Sequence, residues 1–242
     1  MFSIYDLSNE ENRLVQEAPK NFGQFFKLTK DTIDYSWVFI SSVEPKGHVF
    51  NAFLTQANKS LSLALLSLIR YHNAQSHQSI RNAIESIALA CYALYAPNEN
   101  NYVRFDTSDN KLIDKPKVKI KAYKWLDENY PNYSSHLETI KTDFINKMYA
   151  HSNLIDALTK IKHTDSRVYN SVFDDINPIT VKMLLVSLAN LTIMMVELVG
   201  LVLNDYPLAK VKVGHNERIE HFRILNMNQF KTIRNDPLYP KQ

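Results

Sequence analysis

Residues 76–94, SHQSIRNAIESIALACYAL, place His77, Arg81 and Glu85 at successive four-residue steps. On a helix, residues four apart are neighbours, so an imidazole, a guanidinium and a carboxylate line up along the edge of an apolar face. Such a set can bind an anion or anchor a loop. In its plainer reading Arg81 and Glu85 form an intrahelical ion pair at the rim of a core, a contact worth about 0.3–0.5 kcal/mol. Chemistry at this edge needs a partner from another helix, and NKMYAHSN (146–153) offers one. There His151 follows Lys147 by one turn, and Ser152 and Asn153 come next. An imidazole titrating near pH ~6.5 can serve as general acid or base. Arg81 would then hold a developing anion in its planar fork of donors. The plainer reading of His151 is a hydrogen-bonded core histidine.

A second group, IRYHNAQSH, carries Arg70, His72 and His77 around a short polar turn. As metal ligands these histidines are badly spaced, because a helix-borne pair needs a separation of three or four on one face. His215 and His221 show no ligand pattern either, so no metal and no cofactor is expected. KPKVKIKAYK (115–124) holds five lysines in ten residues. Such a run reads as a solvated face, with phosphate contact as the functional alternative. The glycine-rich phosphate loops, GxSxG and HExxH are all missing from the string.

The composition limits the scaffold that could carry these groups. Of 242 residues, 45% are hydrophobic and 22% charged, which suits a globular chain with a substantial core. Only 4 glycines are present, too few for the hairpins of a β-sandwich or the turns of a dinucleotide fold. The single cysteine, Cys91, excludes an intrachain disulfide and a multi-cysteine zinc site. It fits a reducing compartment, and the opening MFSIYDLSNEENRL has no secretory pattern, so a cytoplasmic protein is expected. A net charge of +3 permits nucleic-acid contact without requiring it. The run MLLVSLANLTIMMVELVGLVL (183–203) is long enough to span a bilayer. Glu197 within it favours a core helix instead, and no membrane partner is expected.

Hydrophobic periodicity predicts an all-α protein, an antiparallel bundle of about six helices. Ser8-x-x-Glu11 resembles a capping box for a short first helix that Pro19 interrupts. Residues 21–43 read as a second helix with strand character at the end. Residues 48–72 form a long helix with Phe50, Leu54, Leu61, Leu65, Leu66 and Ile69 on its apolar side. Ser76 is the expected N-cap of a partner helix, 77–95, and the short turn at Asn73–Ser76 makes the two an antiparallel hairpin. A long polar insertion follows (98–119), then a helix near 119–130 and another over 136–161 opened by Ser135-x-x-Glu138. Residues 166–178 read as a strand or extended loop, and 179–204 as the last long helix. The domain reading is a single bundle, 1–204, with an irregular, basic tail, 205–242, holding one short helix near 215–223.

The helix with IRNAIESIALACYAL, the polar insertion, INKMYAHSN and the final apolar helix together resemble the HEPN-like helical families of bacteria, over roughly residues 50–204. Those families carry an (L/I)R-x-x-(L/I/A)-E helix and a later element ending in histidine. The resemblance implies a helical bundle, a homodimer, and a place in toxin–antitoxin or phage-defence systems, acting on RNA or a partner protein. It implies a binding and assembly module with Arg81, Glu85 and His151 as its polar set. The alternative is a metal-independent endoribonuclease, since ribonucleases of the superfamily use an R-x(4–6)-H motif. Arg70-x6-His77 has that spacing but straddles a turn. The later helix carries Lys147-x3-His151, with lysine for arginine and a shorter gap.

Overall fold

The computed structural model describes residues 3–106, 110–142, 161–164 and 167–239. Among them are seven α-helices and three two-stranded antiparallel ribbons, which makes the protein an all-α helical bundle. The expected hairpin is its spine. α2 (His48–Ile69) and α3 (Asn73–Tyr95) run back along each other. Their apolar stripes, Phe50, Leu54, Leu61 and Leu65 on one helix and Ile84, Ile87, Cys91 and Leu94 on the other, are buried in one continuous core.

The turn between them lies earlier than Asn73–Ser76. It is made by Arg70–His72, with Tyr71 in the left-handed region at φ 60°. Ser76 is therefore inside α3, where its hydroxyl donates to the Ala64 carbonyl across the hairpin at 2.9 Å. The N-terminus of α3 is served from a distance instead. Asp174, buried in the segment ahead of the last long apolar helix, accepts from the Asn73 amide at 2.6 Å, and its own amide donates to the Tyr71 carbonyl at 2.9 Å. A carboxylate there also suits the positive end of the helix dipole.

α1 runs from Ile4 to Val38, longer than expected. Ser3 caps it and forms a box with Asp6, so Ser8 and Glu11 are interior. Pro19 does not end it; the break comes at Gly23, whose φ of 52° and ψ of −126° leave helical space. A residue without Cβ adopts that geometry cheaply. The strand character expected after it is real: β1 (Ile40–Val43) follows directly. α4 (Val118–Asn129) and α5 (Pro131–Thr139) come after the insertion, which is itself a ribbon of β2 (Val103–Asp106) and β3 (Lys111–Asp114). Ser135 lies within α5, so it does not open a helix at 136. A second ribbon pairs β4 (Ile161–Thr164) with β5 (Arg167–Asn170).

α6 (Pro178–Asp205) is the last long apolar helix, with Asn177 as its cap and Pro178 in its first turn. The C-terminal segment after it departs from the expected irregular tail. β6 (Ala209–Val211) pairs with β1, and His215–Arg234 form a 20-residue helix, α7, packed on α6. Only a narrow line of α7, including His215, Ile219, Phe222, Asn226 and Ile233, is buried, so its sequence carries little amphipathic pattern. Contact is close: a Cβ at Gly200 of α6 would stand 2.9 Å from His215 Nε2. By length and composition α6 could cross a membrane, but 67% of its most apolar window is buried, and α1, α2, α3 and α7 all pack on it. The Thr29 hydroxyl of α1 donates to the Leu185 carbonyl of α6 at 3.0 Å.

Candidate functional site

α3 divides the residues that its sequence aligned. His77 and Ile80 face a half-open cavity of about 630 Å³ between α3, α5, α6 and α7. Arg81 and Glu85 lie on the neighbouring flank. The 100° step per residue accounts for this, since positions four apart drift by about 40° around the helix.

The cavity is walled mainly by apolar side chains, among them Leu68, Ile80, Ile140, Leu184, Leu191 and Phe230. Among the described lining residues the polar groups are Ser76, His77, His136, Thr139, Ser187, Asn190 and Asn226. None of the described lining residues is Asp, Glu, Lys or Arg. His77 is 1% exposed. Its Nδ1 lies 2.8 Å from the Asn73 carbonyl, so Nδ1 carries the proton and donates it. Burial pulls its pKa from 6.5 down to about 4, against the opposing effect of that hydrogen bond. The imidazole is therefore neutral at pH 7. Asn226, 6% exposed, extends from α7, with its Nδ2 3.5 Å from Asn190 Oδ1. Its own Oδ1 is buried with no hydrogen-bond partner among the described residues.

The other flank is charged and closed on itself. Glu85 Oε1 accepts from Arg81 Nε at 3.3 Å, and Glu85 Oε2 from Lys119 Nζ of α4 at 2.5 Å. Burial raises the Glu85 pKa, but Lys119 and then Arg81 outweigh it and hold the carboxyl below its ordinary value. Next to it, Lys141 pairs with Glu138 at 3.0 Å and sits 4.0 Å above the Tyr123 ring. Burial pushes the Tyr123 phenol up, the Glu85 and Glu138 carboxylates add to this, and Arg81 opposes it. The phenol stays protonated at neutral pH, and among the described residues it has no hydrogen-bond partner. The arrangement fastens α4 to α3 and leaves Arg81 committed to a carboxylate.

Arg70 and His77 do not converge. Arg70 reaches Glu11 of α1 at 3.6 Å, and the same carboxylate receives His72 Nε2 at 2.8 Å. The His72 ring stacks on Phe173 with centroids 5.4 Å apart. These contacts lock the hairpin turn onto α1, while His77 faces the cavity. His151 and Lys147 lie outside the described residues. His215 is structural, stacked on Tyr35 and Phe39 and hydrogen-bonded to Tyr35 Oη at 3.1 Å. Burial lowers its pKa, opposed by Glu197. Among the described residues no three His, Cys, Asp or Glu side chains gather where a metal could be held.

Three participants leave little trace in the sequence. Lys119 belongs to the lysine run. The one hint is its position three and seven residues ahead of Ala122 and Leu126, the apolar residues that α4 buries; the pairing with Glu85 is tertiary. Asn226 and Asn190 carry no local signal, being asparagines on two helices brought together by packing. Comparison of the chain with protein-family models, with curated proteins and with solved structures finds no match.

Proposed function

We propose that this chain is a HEPN-like helical module that works by binding, with the cavity between α3, α6 and α7 as its receptive site. The observation that carries this reading is the cavity itself. Its volume of about 630 Å³ falls in the range of small-molecule sites, and its apolar walls with a few polar groups are what such sites use.

The polar groups support binding over catalysis. A ribonuclease of the R-x(4–6)-H kind needs an imidazole that exchanges protons near neutrality and an arginine free to meet phosphate. His77 is buried and neutral with its Nδ1 engaged. Arg70 is held by Glu11 and Arg81 by Glu85. The two readings separate in one assay. Purified protein is incubated with mixed RNA in excess chelator across pH 5–8, alongside His77→Ala and His151→Ala. Intact RNA throughout supports the binding module; cleavage that either substitution abolishes refutes it.

A further inference from the structure

The lysine run that the cavity leaves unused has an ordered arrangement. Between Arg104 and Lys124 the sequence holds seven cations and three aspartates, a net +4, against +3 for the whole chain. The positive charge of the protein therefore resides in this stretch. α4 buries Ala122, Trp125 and Leu126. Lys117, Ile120, Lys121 and Lys124 recur at steps of three and four on the side turned away from them, and all four are exposed. Lys117 and Lys121 have no ion-pair partner among the described residues, and Lys124 reaches only Glu128, at 3.8 Å. The adjoining ribbon adds apolar surface. Phe105 of β2 stands opposite Leu112 of β3, so the two share one face. Val103 anchors that face on the core, while Phe105, Leu112 and Ile120 are each more than half exposed. Only three residues separate β3 from α4, at most about 14 Å of chain, so ribbon and helix start lie side by side.

We propose that the outward side of α4 and the Phe105–Leu112 pair rest together on an anionic phospholipid surface. The lysine ammoniums meet headgroup phosphates and carboxylates, and Ile120, Phe105 and Leu112 enter the boundary with the acyl chains. Charge complementarity selects an anionic partner, and the side-chain types select lipid. Single-stranded nucleic acid is held by arginines and stacked rings. Here six of the seven cations are lysines, and two of the three exposed apolar side chains are aliphatic. A second copy docked face to face would set lysine against lysine. No described residue of α4 lines the cavity, so this surface works independently of the binding function proposed above.

Vesicle co-sedimentation of the full chain tests the proposal, with phosphatidylcholine alone and with phosphatidylcholine mixed with phosphatidylserine. The chain should pellet with the mixed vesicles only, and raising salt from about 0.05 to 0.5 M should release it. Each of Lys117→Gln, Lys121→Gln and Lys124→Gln should weaken binding about five-fold, and the three together about a hundred-fold. Ile120→Trp adds a readout of insertion: its emission should shift to the blue on mixed vesicles and stay unchanged on neutral ones. Equal pelleting with both vesicles, or with neither, overturns the proposal, and that comparison needs no variant to fold. Binding undiminished in the triple variant overturns the assignment to α4. Binding without the blue shift overturns apolar insertion. A labelled single-stranded RNA held through the same lysines more tightly than the mixed vesicles makes nucleic acid the partner and overturns the lipid assignment.

Discussion

The two flanks of α3 handle polar side chains in opposite ways. On the cavity side, His77 is kept neutral by burial and its donor is spent on its own helix. On the α4 side, Glu85 is kept charged because two cations meet it. Desolvation acts on both groups, and the outcome depends on whether an opposite charge lies within hydrogen-bonding reach. The first flank is therefore suited to receive something apolar. The second is already satisfied and serves to hold α4 in place.

The contrast breaks most completely if the helix that both flanks share is loosened. Ile84 is fully buried on the core side of α3, and Ile84→Ala should cost about 2–5 kcal/mol, read as a lower urea midpoint. Acid sharpens the contrast next. His77 has its pKa depressed in the folded state, so below pH ~6.5 the unfolded chain takes a proton that the folded chain refuses. Stability should fall as pH drops from about 6.5 to about 4, by on the order of 3 kcal/mol for the full 6.5-to-4 difference. His77→Gln should remove that part of the slope and leave the smaller contribution of His215, which has the same sign. Denaturant titrations at pH 7, 6 and 5 measure both.

The charged flank should respond less and in another window. Glu85 has a depressed folded pKa, so its contribution is present above pH ~4.5 and is lost as pH falls through the lower folded value. Glu85→Gln should cost about 1 kcal/mol at pH 7, less in high salt, and nothing measurable once the native carboxyl is protonated. Lys119→Ala, at a side chain 62% exposed, should cost only roughly 0.2–0.5 kcal/mol. Thermal melts at low and high salt distinguish these two. A Glu85 effect that persists unchanged in acid would mean that the residue stabilises by packing, and the contrast would fail.

Strong periodicity makes much of this fold legible. The apolar spacing of α2 and α6 leaves only a helix as an explanation, and the structure places both within a few residues of the expected bounds. Proline is a general helix breaker, so the sequence divides α1 at Pro19, yet that proline is accommodated and the real break is the backbone of Gly23. A helix that buries only a thin line shows weak amphipathicity, which is why the sequence suggests no more than a short piece of α7. At the site, the Arg81–Glu85 pair is legible because it is local. Lys119, Asn226 and the Asp174 cap are not, because each meets its partner only after distant segments pack.

The ribbon of β1 and β6 joins an early part of the chain to a late one. Ile40–Val43 pairs with Ala209–Val211, and Glu44 and Phe39 extend the ladder to Leu208 and Lys212. A nascent polypeptide displays the first of these strands long before the second has been synthesised. Until then, or in any product clipped ahead of Ala209, a bare strand edge stands open to other molecules, and such edges recruit neighbours into aggregates. Damage near the C-terminus would thus surface as insolubility seeded close to the opposite end.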